Sequence, residues 1–217
     1  MSIPNGVLEI ISETWKNANS YLLHIGEGWV IDPGAMRPED CAAKTKHLLA
    51  THAHYDHIAG LESWGGEDFS FYLHKGDIPM LEDEEANASK LFAHKREFPQ
   101  PQRILEDGDK LEMGDGWIAT VWHTPGHTQG SACFLLAQDG KNIMLFSGDT
   151  IFADNIGRSD LIGGDPKQMR DSVEKLLLRL QKLDKDLVIL PGHGAATTVD
   201  YVLQRNPFFR KGGFFSI

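Results

Sequence analysis

Cysteine is scarce in this chain, which has only Cys41 and Cys133 among its 217 residues. A small secreted domain that is held together by disulfides needs more cysteines than this. The cysteine content is instead typical of a protein from a reducing compartment, and we expect a cytoplasmic protein. Its stability would come from a hydrophobic core, for which the 41% content of hydrophobic residues is sufficient.

Positive charge is also scarce. The chain has 21 lysines and arginines against 31 aspartates and glutamates, which gives a formal net charge of −10. Nucleic-acid backbones repel such a chain unless it concentrates a basic patch. The densest basic runs, at 94–96 and 208–211, are short. We therefore expect no nucleic-acid partner.

Long hydrophobic runs are missing from the sequence. No segment approaches the roughly 18 consecutive apolar residues that a membrane-spanning helix requires. The first residues, MSIPNGVLEIISET, lack the basic region and the apolar run of a signal peptide. We expect neither secretion nor a membrane partner.

Apolar patterning predicts strands and flanking helices in the first half of the chain. The predicted strands cover residues 7–14, 21–34 (two runs about a turn), 47–52 and 69–77. Short helices are predicted at 38–45 and over the IAGLESWGG segment, 58–66. Residues 78–97 favour helix, with Leu81, Leu91 and Phe92 as the expected inner contacts.

The second half repeats this pattern. Predicted strands cover 117–124, two runs within 131–150 about the hairpin-like QDGK, and 186–194. Asp165 and Pro166 are suited to open a helix, and a second helix is predicted from 199 to 205. One face of the first helix is apolar, with Met169, Val173, Leu176, Leu177, Leu180 and Leu183. The pattern indicates an α/β fold of two packed sheets with helices outside, in one domain spanning 1–217.

Residues 51–60, THAHYDHIAG, contain an unusual concentration of metal-binding side chains. Three histidines and an aspartate (His52, His54, Asp56, His57) occur within six positions, directly after a predicted strand. His127, Asp149 and His193 also follow predicted strands, in TPGHTQG, FSGDT and LPGHG. Strand ends on one edge of a sheet can converge, and loops there can hold a site on a rigid scaffold.

These five histidines and two carboxylates predict a metal centre. Imidazole nitrogen and carboxylate oxygen suit zinc, and also iron or manganese. Seven ligands are too many for one tetrahedral ion and suit two ions, with zinc as the first expectation. Asp32, in VIDPG, also ends a strand and either orients a ligand from outside the metal shell or only forms a turn. His123 is expected to be structural, with an outer-shell role as the alternative.

Together, THAHYDHIAG, TPGHTQGS, FSGDT and PGHG resemble the motifs of the metallo-β-lactamase superfamily, with Asp32 as the weakest motif. The resemblance covers about 20–205 and implies a four-layer αββα sandwich with the metals at one edge of the two sheets. It also implies that His52, His54 and His127 hold one ion, that Asp56, His57 and His193 hold the second, and that Asp149 bridges them.

The segment at 148–165, GDTIFADNIGRSDLIGGD, resembles the short, single-domain members of the glyoxalase II-like branch. Asp149 in FSGDT favours this branch, because the best-known β-lactamases have a cysteine in place of this aspartate. Full-length glyoxalase II also has a C-terminal helical domain that supplies basic residues for glutathione, and we expect this chain to lack it.

The resemblance implies hydrolysis of a 2-hydroxyacyl thioester, such as S-lactoylglutathione, by a metal-bound hydroxide. Asp56 would bind metal and orient the nucleophile. Arg158 would contact a substrate carboxylate, or would instead form a salt bridge with Asp160 or Asp154. The alternatives are a persulfide dioxygenase with one iron, a lactonase, and a metal-binding protein without catalysis. The oligomeric state and the role of the phenylalanine-rich C-terminus remain open.

Overall fold

The computed structural model describes residues 3–12, 18–34, 36–41, 45–64, 68–92 and 98–210. Within these parts of the chain, two six-stranded sheets form the centre of the molecule. The strands of the first sheet lie side by side in chain order. They are β1 (Leu8–Ser12), β2 (Asn19–Leu23), β3 (Trp29–Ile31), β4 (His47–Leu49), β5 (Ser70–His74) and β6 (Arg103–Leu105).

The first sheet changes from antiparallel to parallel pairing along its width. The pairs β1–β2 and β2–β3 are antiparallel, whereas β3 to β6 all run parallel. Strands buried on both faces need continuous apolar side chains, and every residue of β2 and β3 is buried. The parallel strands place the carboxyl ends of β3, β4 and β5 at the same edge of the sheet.

The second sheet has the order β12-β11-β10-β9-β8-β7. Its strands are β7 (Lys110–Gly114), β8 (Trp117–His123), β9 (Ala132–Gln138), β10 (Lys141–Gly148), β11 (Val188–Pro191) and β12 (Thr197–Thr198). Only β10 and β11 pair in parallel among these neighbours. Because β8 and β10 each run antiparallel to β9, the carboxyl ends of β8, β10 and β11 share one edge.

Three α-helices and four short 3-10 segments complete the described structure. The α-helices are α1 (Tyr55–Ile58), α2 (Pro166–Leu180) and α3 (Val199–Arg205). The 3-10 segments are Pro38–Asp40, Ala59–Trp64, Lys75–Glu82 and Ser89–Phe92. No helix in the described ranges combines the length and the apolarity needed to cross a membrane.

Three hydrophobic clusters separate four layers. The central cluster lies between the sheets and includes Tyr21, Trp29 and Phe146. A second cluster packs the α1 region onto the outer face of the first sheet, and a third packs α2 and α3 onto the second sheet. Each cluster removes apolar surface from water, which is the main stabilising term of such an assembly. The predicted αββα sandwich is confirmed.

Several local predictions need correction. The helix predicted at 38–45 is a 3-10 turn at Pro38–Asp40, and residues 42–44 lie outside the described parts of the chain. The strand predicted to 77 ends at His74. Leu91, expected inside, is 82% exposed, and the side chain of Phe92 is not among those described. Strands β6 and β7 were not predicted. β6 has only three residues, whereas β7 alternates buried Leu111 and Met113 with exposed neighbours, so its five residues did carry a strand signal.

The start of α2 agrees with the prediction. The carboxylate of Asp165 accepts hydrogen bonds from the backbone N–H groups of Lys167 and Gln168, at 2.8 and 3.1 Å. These donors have no partner within the helix, and Pro166 follows at the first helical position, where its missing N–H has no cost. Buried side chains on the inner face of the helix, Met169 and Leu176 among them, then pack against the second sheet.

We predict that Asp165→Ala lowers the free energy of unfolding by about 1 kcal/mol, because two backbone donors lose their acceptor. Urea denaturation measures the change. Asp171→Ala is the matched control, since it removes the same charge from an exposed position of the same helix. Its expected effect is below about 0.5 kcal/mol. Equal losses in the two variants would contradict a specific cap.

Candidate metal centre

Predicted site residues follow five strands, and the strand ends bring them together in one place. Asp32 and His52 follow β3 and β4 of the first sheet, while His127, Asp149 and His193 follow β8, β10 and β11 of the second. The strand directions described above put these ends on one edge of each sheet. The site therefore lies where the edges of the two sheets meet.

Backbone hydrogen bonds join the two edges. The N–H of Ala132, which opens β9, donates to the carbonyl of Thr51 at 2.9 Å. The N–H of Asn19 donates to the carbonyl of Gly192 at 2.6 Å. Since Thr51 precedes His52 and Gly192 precedes His193, these bonds fix ligand-bearing loops of one sheet against the other.

One group of donors consists of His52, His54 and His127. Nδ1 of His54 lies 3.1 Å from Nε2 of His52 and 2.9 Å from Nε2 of His127. All three side chains are buried, with at most 5% of their surface exposed. Three ring nitrogens thus converge from two sheets on one point, as ligands of a single ion would.

A second group consists of Asp56, His57 and His193. Oδ2 of Asp56 lies 3.1 Å from Nε2 of His193 and 4.0 Å from Nε2 of His57. Asp56 and His57 sit on the single turn of α1, while His193 comes from the loop after β11. This group can also hold one ion.

Asp149 lies between the two groups. Its Oδ1 is 3.5 Å from Nε2 of His57, and its Oδ2 is 3.4 Å from Nε2 of His127 and 3.6 Å from Nε2 of His193. The carboxylate thus reaches a member of each group, as a bridging ligand would. A side chain at Gly192 would collide with Asp149 and His57, so the close approach of this backbone requires glycine.

Hydrogen bonds at the far side of three rings orient their free nitrogens. The Thr51 hydroxyl donates to Asp32 at 2.8 Å, so it accepts from Nδ1–H of His52 at 3.1 Å. Nδ1 of His57 donates to Asp32 at 2.9 Å, and Nδ1 of His127 donates to the carbonyl of Arg158 at 2.7 Å. These partners place a proton on Nδ1 and turn Nε2 of each ring into the cluster.

The residues present fit a metal centre. Nε2 of His57 and Oδ1 of Asp149 are buried, lie 3.5 Å apart and have no hydrogen-bond partner among the described residues. Buried polar atoms without a partner are costly, and a bound cation would satisfy lone pairs that face one another in this way. Imidazole and carboxylate are ligands that zinc, iron and manganese all accept, so the donor set leaves the identity of the metal open.

The charges of the cluster divide its histidines into two kinds. Burial, together with the neighbouring imidazoles, lowers the pKa of His54 to about 3 and that of His52 well below its usual range. These rings are neutral at pH 7. Burial also acts to lower the pKa of His57, but the carboxylates of Asp32, Asp149 and Asp56 outweigh it and hold this pKa well above the usual value. The bond to Asp56 likewise outweighs burial and raises the pKa of His193.

We predict that zinc binding to the metal-free protein at pH 7 releases protons. Raised pKa values favour the protonated forms of His57 and His193, and a metal must displace these protons, so the metal affinity should rise with pH. Calorimetric titrations in two buffers of different ionisation enthalpy measure the release. His193→Ala should release fewer protons than the native protein. Binding that releases no protons would contradict the protonated state of these rings.

Asp77 is a functional residue that the sequence did not reveal. Its carboxylate is fully buried and accepts hydrogen bonds from the N–H of Ala53 (2.9 Å), the N–H of Gly130 (2.6 Å) and the hydroxyl of Thr128 (2.7 Å). Ala53 lies between His52 and His54, and Thr128 follows His127. One carboxylate therefore fixes both loops that carry the first group of ligands. Asp77 was the last residue of the strand predicted over 69–77, and a single aspartate there offers no sequence signal for this role.

We predict that Asp77→Asn weakens the binding of the ion at the first group on the order of 10-fold, because an amide cannot accept all three hydrogen bonds. Competition with a chelator measures the affinity, and thermal denaturation checks the fold. Asp115→Asn is the matched control, since Asp115 also accepts from a backbone N–H, that of Gly26 at 2.9 Å, away from the ligand loops. Unchanged affinity in Asp77→Asn would remove the positioning role.

Other predicted residues lie as follows. The guanidinium of Arg158 forms two hydrogen bonds with Asp160, at 2.8 and 2.9 Å, which is the salt bridge considered as an alternative. Its contact with a substrate stays a prediction. His123 stacks on His74 with ring centroids 3.9 Å apart, as a structural residue would. The assignment of individual ions to the two groups of ligands also stays a prediction.

The two-sheet sandwich and its edge cluster of histidines and aspartates define a class of metal-binding proteins. The model of the metallo-beta-lactamase superfamily matches residues 14–193. The chain belongs to this superfamily.

Known proteins similar to the chain include relatives of several descriptions. An uncharacterized protein of Mycobacterium leprae is 37% identical over 82% of this chain and 86% of its own. The hydroxyacylglutathione hydrolase GloC of Haemophilus influenzae is 30% identical, and the match covers 94% of this chain and 98% of its own. Among solved structures, TTHA1623 in a di-iron-bound form is 33% identical with a TM-score of 0.76. The match covers 92% of this chain and 99% of that one. The BLEG-1 B3 metallo-beta-lactamase is 28% identical with a TM-score of 0.78. The match covers 93% of this chain and 99% of that one.

Proposed function

We propose that this protein is a metal-dependent hydrolase of thioesters, with 2-hydroxyacyl thioesters such as S-lactoylglutathione as the substrate class. The observation that carries the proposal is the carboxylate of Asp149, which lies between two groups of ligands and within 3.4–3.6 Å of nitrogens in both. Similarity to a hydroxyacylglutathione hydrolase over nearly the whole chain supports the choice of substrate class.

Two divalent ions would be held by the residues described above. His52, His54 and His127 would hold one, Asp56, His57 and His193 the other, and Asp149 would contact both. When bound, such ions would polarise a carbonyl oxygen and lower the pKa of water at the site. Zinc is our first expectation, and iron or manganese fits the same donors.

The open side of the cluster is where a substrate would enter. The side chains of His193 and Asp56 are 33% and 22% exposed, whereas the side chain of His57 is fully buried. We assign Asp56 a second role, in which its carboxylate accepts a hydrogen bond from the attacking water and orients it toward the thioester carbonyl. The buried side, with Asp32 and the backbone partners, keeps the rings in place.

A cysteine nucleophile is not needed for this reaction. The thiol of Cys133 is completely buried, and burial raises its pKa to about 11. It lies 3.6 Å from the Thr124 hydroxyl and donates to the carbonyl of Ser147. Such a thiol is protonated at neutral pH and packs as a small apolar group.

We predict that His54→Ala and Asp149→Ala each abolish metal-dependent thioester hydrolysis while the fold is kept. The ligands sit at strand ends outside the three hydrophobic clusters, so their loss should change metal content more than packing. Elemental analysis, circular dichroism and a thioester assay check the three properties. His24→Ala is the matched control, because His24 is exposed and lies outside the cluster. Native hydrolysis by a metal-free His54→Ala protein would end the proposal.

The same measurements on the native protein separate the alternatives. One iron per chain with oxygen uptake on glutathione persulfide would identify a persulfide dioxygenase. Hydrolysis of lactones in preference to thioesters would identify a lactonase. A metal-loaded protein that is inactive on every substrate would identify a metal-binding protein without catalysis. A cytoplasmic location, where glutathione keeps thiols reduced, stays a prediction.

A further inference from the structure

A cleft of about 340 Å³ opens between two loops beside the metal centre. One wall is formed by residues 84–91, after the first 3-10 segment that follows β5. The other is formed by Leu161 and Ile162, in the loop between β10 and α2. We call this feature the side cleft. The predicted metal ligands do not line it.

Hydrogen bonds anchor both walls to the loops that carry ligands. In the first wall, the carbonyl of Asn87 accepts from the N–H of Tyr55, which lies between His54 and Asp56, at 2.8 Å. Behind the second wall, the carbonyl of Gly163 accepts from the side-chain amide of Gln129 at 2.8 Å. The carbonyl of Arg158, in the same loop, orients His127. Both walls of the side cleft are therefore tied to loops that carry predicted ligands.

The lining is largely apolar, although it is open to water. Leu91 is 82% exposed and Ile162 is 57% exposed, and Ala86, Ala88 and Leu161 contribute further apolar surface. Large apolar side chains left exposed in a concave surface beside a reactive centre are typical of ligand sites. An apolar group in the cleft would cover them and gain free energy from the buried area.

The charges of the lining do not suit an anion. It contains Glu84, Glu85 and Lys90. Lys90 forms an ion pair with Glu85, and the hydrogen bond to Glu85 together with the charges of both glutamates raises the pKa of its ammonium. Among the described residues, the only cation of the lining is thus already engaged, while Glu84 and Glu85 would repel a carboxylate. A glutathione moiety, with two carboxylates and one ammonium, is poorly matched.

We propose that the side cleft binds an uncharged apolar chain of the substrate, so that the protein prefers thioesters with such a chain to those of glutathione. This inference rests on the proposed thioester hydrolysis and narrows its substrate class. The chain can belong to the acyl group or to the thiol, since both extend from the reacting carbonyl. Ile162 and Leu91 supply the apolar contacts, and Glu84 disfavours negatively charged groups.

Binding can be tested without turnover. The zinc-loaded protein, labelled at its isoleucine methyl groups, is titrated with S-hexyl-N-acetylcysteamine, an uncharged thioether that hydrolases do not cleave. The Ile162 signal should shift to saturation. The Ile104 signal should not, because Ile104 is equally exposed, at 57%, but lies in β6 outside the cleft. S-hexylglutathione carries the same chain and should bind on the order of 10-fold more weakly.

Kinetics distinguish the two sources of the chain. S-lactoylglutathione and the lactoyl thioester of N-acetylcysteamine are compared with two extended substrates. One has hexanethiol as the thiol, and the other has 2-hydroxyoctanoyl as the acyl group. The side on which the longer chain raises kcat/KM identifies the part of the substrate in the cleft. Ile162→Asp should reduce that gain on the order of 10-fold, whereas Ile104→Asp, the matched control, should keep it.

The outcomes separate this inference from the proposed function. If the native protein hydrolyses no thioester, the proposed function is wrong, and the binding titration still tests whether the cleft binds an apolar chain. Absence of a saturable shift at Ile162, an equal shift at Ile104, or tighter binding of S-hexylglutathione would overturn the inference. A kcat/KM of the native protein that does not change with the length of the substrate's apolar chain would overturn it as well.

Discussion

The carboxylate of Asp149 among three imidazoles is the interaction on which the rest of the site depends. Burial alone would favour its neutral form, but His57, His127 and His193 lower its pKa and keep it ionised. Its Oδ2 lies near His127 of the first group and His193 of the second, and its Oδ1 lies near His57, so its position relates one candidate ion site to the other. A residue in this place must be held from both sheets, because the nitrogens it faces come from both. The geometry of the sandwich edge follows from this requirement.

The protein meets the requirement with a layer of partners behind the ligands. Asp32 accepts a hydrogen bond from His57 and, through Thr51, orients His52. The carbonyl of Arg158 orients His127. Asp77 is hydrogen-bonded to the loops of both His52 and His127. These partners act in a dry environment, where a hydrogen bond to a charged group is stronger than in water. These bonds constrain the orientation of each ring, which reduces the reorganisation needed when a metal binds.

The centre has a fixed side and an open side. Buried histidines and their partners form the fixed side, while Asp56 and His193 remain partly exposed. The side cleft is formed by loops that share hydrogen bonds with ligand-bearing loops, and its lining contains none of the predicted ligands. In the proposal above, chemistry and substrate choice would therefore reside on different residues. This separation is consistent with a superfamily in which one scaffold supports many reactions.

The sequence by itself determined the donor chemistry and the fold class. Histidines and aspartates after apolar strands indicate metal ligands because few other roles need so many imidazoles together, and two runs of strands with flanking helices indicate a sandwich. The tertiary structure was needed to show which nitrogen of each ring faces the other donors, and that Asp77 joins the loop of Ala53 to that of Thr128, about 75 residues further along the chain. It also showed that Leu91 faces solvent in a cleft instead of the core. Such contacts depend on distances between segments remote in sequence, and a local pattern of residues carries no record of those distances.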